Sequence, residues 1–182
     1  MDTEKIKLDA LQQLERQVLQ AQKSDLAQPL TLTFLYDDHD KVVARIKGWV
    51  KEKKYSAYIY VFRLEDNSMI PECSMLFNNA KEEAKSKDIK RAYAKDNKDN
   101  KLKHRALYVG SSKSIVSRVR QHLGLVSKST YSMQMSTWLK NTDINVILDI
   151  YPCAFEDQFT LQLFEDTIWD SYAPALGKKG GR

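Results

Sequence analysis

Cysteine is scarce: Cys73 and Cys153 are the only two among 182 residues, eighty positions apart, and neither has a His or Cys neighbour at ligand spacing. This excludes a disulfide framework and a zinc knuckle and fits a reducing, intracellular home. Long apolar runs are missing too. No segment approaches the roughly eighteen apolar residues of a membrane span, and the opening "MDTEKIKLDALQQLERQ" lacks the apolar stretch of a signal peptide. A soluble, cytoplasmic protein without a membrane partner is expected. No internal repeat is visible, and no zinc-finger or helix-turn-helix signature offers a ready-made reader of nucleic-acid sequence.

What is present suits one folding unit, since an apolar content of 42% supplies a single sizeable core. Lys and Arg number 29 against 24 Asp and Glu, a formal charge of +5 with a pI near 9.0. That balance tilts the choice of partner towards polyanions. Between Lys81 and Arg105 there are ten basic and five acidic residues, a local surplus equal to that of the whole chain. Such a run is a solvated face, a protein-interaction arm or a track for a nucleic-acid backbone.

Apolar residues at Ile6, Leu11, Leu14, Val18 and Leu19 predict an amphipathic helix over about 3–23, without indicating where it docks. "LTLTFLY" at 30–36 alternates like a strand. "DDHD" at 37–40 could be taken for metal ligands, but Asp before the apolar helical run Val42, Val43, Ile46, Trp49 and Val50 is better read as a turn and helix start. "YSAYIYVFRLE" at 55–65 predicts a strand buried on both faces. A helix is expected from Pro71 to about Lys95, then a polar loop. "RALYVG" forms a strand ending at Gly110, and a helix follows from about Lys113 to Leu123, capped by Gly124. "TYSMQMSTWLKN" predicts another helix, "INVILDIYP" a strand, and "FEDQFTLQLFEDTIWDSY" a long helix ending before Pro174. These elements make an α/β chain of the α+β type. A helical extension over 1–54 packs on a core over 55–182, with a helical, basic insertion at 66–104.

Two features carry chemistry. Arg118 and His122, four apart, lie together at the edge of the apolar sector formed by Ile115, Val116, Val119 and Leu123. The pair is either a solvated i,i+4 contact or a site in which a planar guanidinium binds two phosphate oxygens beside an imidazole able to move a proton. Glu165 falls amid Leu161, Phe164, Ile168, Trp169 and Tyr172. A carboxylate left there unpaired would cost several kcal/mol, so it forms a salt bridge, opens to water, protonates or binds a cation. With one carboxylate and no nearby His or Cys, a hard ion such as Mg²⁺ or Mn²⁺ suits better than zinc.

Tyr58-Ile59-Tyr60 and Tyr108-Val109-Gly110, followed by Arg118 and His122 and then Glu165 and Pro174, resemble the motifs of the GIY-YIG nucleases. The resemblance covers about residues 55–65 and 105–182. Tyr58 stands where the family has its first Gly, and Tyr60 and Tyr108 are 48 positions apart. Ser111 replaces a common Lys, with Lys113 two residues on, and Gly177 replaces a polar residue after the proline. The resemblance implies a small three-stranded antiparallel sheet flanked by helices, and a metal-dependent endonuclease that cuts DNA, most naturally duplex, by in-line attack of water. It assigns catalysis to Tyr60, Tyr108, Arg118, His122 and Glu165, with one Mg²⁺ or Mn²⁺ on Glu165 and Arg118 on the opposite side of the phosphate. Either tyrosine could be the general base, with His122 relaying the proton or sharing the role. The expected contacts to the DNA backbone are Lys113, Arg120, Lys101, Lys103 and Arg105. A binding module that kept the fold without cutting is the alternative, and pairing of two copies to cut both strands is left open.

Overall fold

Strand β2 (Ala57–Leu64) is the centre of the molecule, and all of it but Arg63 is buried. Side chains alternate across a strand, so Tyr58, Tyr60, Phe62 and Leu64 enter the main core while Ala57, Ile59 and Val61 enter smaller clusters on the other face. The computed structural model describes residues 3–24, 26–52, 55–97, 103–154 and 157–180. Around β2 stand β1 (Leu30–Phe34), β3 (Tyr108–Ser112) and β4 (Val146–Cys153), in the order β1-β4-β2-β3 with every pairing antiparallel. The chain is therefore mixed α/β, with a sheet of four strands rather than three. β1, read from the sequence as part of the extension, covers the edge of β4. Its Leu32 and Phe34 point into the main core and its threonines point away, so pairing satisfies β4 and buries the apolar half of β1 at once.

Among the described residues, five α-helices accompany the sheet. α2 (His39–Glu52), α3 (Ile70–Ser86) and α4 (Ile115–Leu123) send Val42, Val43 and Ile46, then Ile70, Cys73 and Phe77, then Ile115, Val119 and Leu123 into the main core. α5 (Gln158–Tyr172) packs on the opposite face through Leu161, Phe164 and Ile168. α1 (Thr3–Gln22) touches α5 but buries none of its residues, and Ile6, Leu11, Leu14 and Val18 remain about half exposed. Asp37 and Asp38 lie in a one-turn 3₁₀ helix that leads into α2, and Asp38 pairs with Lys41 at 2.6 Å. Among the described residues no helix is long and apolar enough to cross a membrane. Both cysteines are free and buried.

Two expected helices are not formed as written. The one expected to reach Lys95 stops at Ser86, where Asp88 takes a left-handed φ of 51° and Ile89 N–H closes the end on Ala84 O at 2.8 Å. Residues beyond it run extended, because their amides find partners far away: Ala92 N–H on Lys128 O at 2.7 Å, Ala94 N–H on Ser132 O at 2.8 Å and Asn97 N–H on Ala175 O at 2.8 Å. "TYSMQMSTWLKN" holds only a 3₁₀ turn at Met135–Thr137, preceded by Gln134 at φ 53°. Its apolar residues are still used. Met133, Met135, Trp138 and Leu139 are buried in the main core. α4 ends as expected at Gly124, whose φ of 78° favours glycine and where an added Cβ would clash with Ser136 Oγ.

Segment 175–177 closes the far side of β3. Ala175 and Leu176 donate to Ala106 O and Leu107 O at 2.9 Å each, while Gly177 donates to Lys95 O at 2.8 Å.

Phe77 meets Tyr93 and Trp138 edge-on, with ring centroids 5.6 and 6.0 Å away, and so joins α3 to both irregular segments. Phe77→Ala is expected to cost about 3–5 kcal/mol in urea unfolding. Leu14→Ala, on the uncovered face of α1, is expected to stay within about 0.5 kcal/mol of the parent.

Candidate active site

Register builds the site. Tyr60 pairs with Gly110 and Phe62 with Tyr108 across β2 and β3, so both motif tyrosines project from the same face two residues apart. Their rings stack nearly parallel, 5° between planes, with centroids 6.1 Å apart. Gly110 makes room for this. A Cβ there would lie 2.6 Å from Tyr60 Oη and 2.9 Å from the Tyr108 ring, so any other residue would displace the phenols.

α4 crosses the same face and delivers Arg118 to the two hydroxyls. Arg118 Nε–H donates to Tyr60 Oη at 3.0 Å, Nη2–H to Tyr108 Oη at 3.2 Å and Nη1–H to Gln121 Oε1 at 2.9 Å. Three of the five guanidinium N–H groups are engaged, which leaves two for a ligand.

One turn later, His122 lies behind Tyr60, fully buried rather than at the helix edge. Its Nδ1 accepts from the Met133 amide at 3.3 Å, and its Nε2 is 3.1 Å from Tyr60 Oη. Burial first, and the Arg118 charge second, push its pKa well below the usual value, so the ring is neutral at pH 7. A neutral imidazole accepting at Nδ1 carries its proton on Nε2. His122 therefore donates to Tyr60 and cannot take a proton from it. Tyr60 Oη receives two donors, yet burial outweighs Arg118 and pushes the hydroxyl far above its ordinary value of 10.

Glu165 comes to the β3 edge from α5, on the other face of the sheet. Ser111, next to Gly110 and so on the opposite side of the strand, bridges the two: its Oγ–H donates to Glu165 Oε2 at 2.5 Å. Glu165 makes no ion pair among the described residues, and its Oε1 has no hydrogen-bond partner there. Burial raises its pKa despite Ser111 and the nearby Arg118 charge.

Tyr60, Tyr108, Gly110, Ser111, Arg118 and Glu165 line one cavity of about 630 Å³. That is ample for a nucleotide-sized ligand. His122 stands behind this wall. Lys81, Lys95 and Lys178 also line the cavity, so four cations face one carboxylate. Lys113, Arg120, Lys103 and Arg105 lie elsewhere on the surface, and Lys101 is outside the described residues. Sequence reasoning missed Lys81, Lys95, Lys178 and Ser111. Only the strand alternation at Gly110 and Ser111 could have flagged the serine, because the lysines reach the cavity through tertiary contacts.

Glu165 Oε1, without a hydrogen-bond partner among the described residues, is the oxygen that could hold a hard divalent ion. Among the described residues no cluster of three or more His, Cys, Asp or Glu exists that would favour a protein-caged metal.

Because the folded-state pKa of Glu165 is raised, its ionised form is disfavoured by folding above that pKa, and the penalty vanishes on protonation below it. Glu165→Gln is thus expected to raise the thermal midpoint at pH 7, about 2–4 °C for each kcal/mol relieved. The gain should shrink as pH falls into the acid range, and differential scanning fluorimetry across pH checks both signs. Comparisons with models of protein families, with curated proteins and with solved structures find no match to this chain.

Proposed function

We propose that this protein is a metal-dependent endonuclease that hydrolyses DNA phosphodiester bonds in the cavity walled by Tyr60, Tyr108, Arg118 and Glu165. The supporting observation is the Arg118 guanidinium, which hydrogen-bonds both motif tyrosines and keeps two N–H groups for a phosphate in the cavity that Glu165 also enters. The spacing that resembles GIY-YIG nucleases agrees with this reading.

In this mechanism Arg118 grips non-bridging oxygens of the scissile phosphate and neutralises the charge that grows during in-line attack. Mg²⁺ or Mn²⁺ on Glu165, when bound, supplies Lewis-acid polarisation of the phosphate and stabilises the departing 3′ oxygen. Tyr108 is the better candidate to take the proton of the attacking water. It is half-buried and opens to the cavity, whereas Tyr60 is 1% exposed and held in its protonated form by burial. Tyr60 and His122 then serve as positioning residues that fix Arg118 and, through ring stacking, Tyr108.

Nicking of supercoiled plasmid by the purified protein, with Mg²⁺, with Mn²⁺ and with chelator, tests the reading. Arg118→Ala, Glu165→Ala and Tyr108→Phe are each expected to lose about 10²–10⁴ of the rate. Tyr60→Phe should lose only about tenfold, since it keeps the ring and removes no acceptor of the proton. Salt-sensitive binding without cleavage in either metal would favour the non-cutting binding module. A greater loss in Tyr60→Phe than in Tyr108→Phe would reverse the assignment of the base.

A further inference from the structure

A second hollow, of about 490 Å³, opens off the first and shares Lys81, Tyr93 and Tyr131 with it. Lys85, Lys90 and Arg91 line it as well, against two acids, Glu82 and Asp88. Arg91 is aimed by Gln134, whose Oε1 accepts from its Nη1 at 2.7 Å.

Tyr131 stands on the ridge between the two hollows. It is 73% exposed, the most exposed large apolar residue among those described, and its side chain has no hydrogen-bond or ring partner there. The backbone beneath it is held firmly. Ser132 O accepts from Ala94 N–H at 2.8 Å, Ser132 Oγ–H donates to Gln121 O at 3.0 Å, and the Met133 amide is bound to His122 at 3.3 Å. An aromatic ring on a floppy loop would need no explanation. A bare ring on a pinned backbone, at the mouth of a nucleotide-sized cavity and ringed by cations, is a ready platform for a flat ligand.

We propose that Tyr131 stacks an unpaired base of the strand being cut, next to the scissile phosphate, while Lys81, Lys85, Lys90 and Arg91 follow the backbone that carries it. A base inside a duplex has both faces covered by its neighbours and offers none to a phenol ring, so the site selects DNA that is single-stranded or splayed beside the cleavage position. Stacking on an aromatic side chain tolerates any base, which makes this a selection for DNA shape rather than sequence. The identity of the ligand as DNA rests on the nuclease reading above.

The test uses the full chain and its Tyr131→Ala and Tyr131→Phe variants with three oligonucleotides: a hairpin-capped duplex, the same duplex with an unpaired single-stranded arm, and a single strand. Binding to all three is measured with chelator present by fluorescence anisotropy of a labelled end, and stacking by 2-aminopurine in the unpaired arm and the single strand, whose fluorescence drops on stacking. The expected result is quenching by the natural protein and by Tyr131→Phe, absent in Tyr131→Ala, with about tenfold or more loss of affinity for the arm and single strand and none for the capped duplex. Lys90→Gln should weaken all three alike and lower the salt slope by about one. Equal loss on paired and unpaired DNA, unchanged quenching in Tyr131→Ala, or no binding of any oligonucleotide overturns the proposal. Tyr131-dependent quenching without cleavage in Mg²⁺ or Mn²⁺ would sustain it and remove the nuclease reading. Cleavage by the natural protein with identical rates for Tyr131→Ala on every substrate would do the opposite.

Discussion

One guanidinium organises the site. Arg118 ties the hydroxyls of two strands together and is braced by Gln121 on its own helix, so the positions of Tyr60, Tyr108 and α4 are fixed against each other by charge-assisted contacts in a half-buried place. Everything behind it serves that arrangement. The β2–β3 register sets the tyrosines on one face, Gly110 lets their rings lie close, and buried His122 donates to Tyr60 from the rear. Were the two strands to slip by one residue, Tyr108 would turn to the α5 face and the guanidinium would lose its second partner.

Stability and chemistry pull against each other at Glu165. Folding removes its carboxylate from water and offers only Ser111 and the Arg118 charge across the cavity in return. A sequence selected for stability alone would carry an amide or an apolar residue there. Its place on the cavity wall is in keeping with the tendency of perturbed acids to gather at functional clefts.

The fold class and the residues that meet in the candidate site were largely legible in the sequence because they depend on local periodicity. β2 announced itself by aromatic and β-branched alternation, α4 by its apolar sector, and Glu165 by a charge within an apolar helix face. Features decided by distant partners were not legible. The edge strand β1 is too short to show where it pairs. Residues 87–95 have helix-forming composition, yet Asp88 breaks the helix and the amides of Ala92 and Ala94 bond across to 128–132. Gln134 likewise adopts φ 53° under tertiary demand, where its sequence suggested a helical turn. His122 was placed at a helix edge because spacing alone cannot say that Tyr60 and Phe62 close over it. The cavity's lysines were hidden for the same reason, and composition pointed instead to the tail of the basic run.

The clasp formed by 175–177 has a consequence for how the molecule comes into being. Lys178 and Gly177 line the cavity, and their segment bonds to residues near 95 and 107, so the cavity lining spans more than a hundred residues of chain and closes only when that loop does. On the ribosome, a nascent chain would expose its tyrosines and Arg118 well before the wall and the carboxylate of α5 arrive. Until Gly177 meets Lys95, the hollow around Arg118 lacks one of its walls.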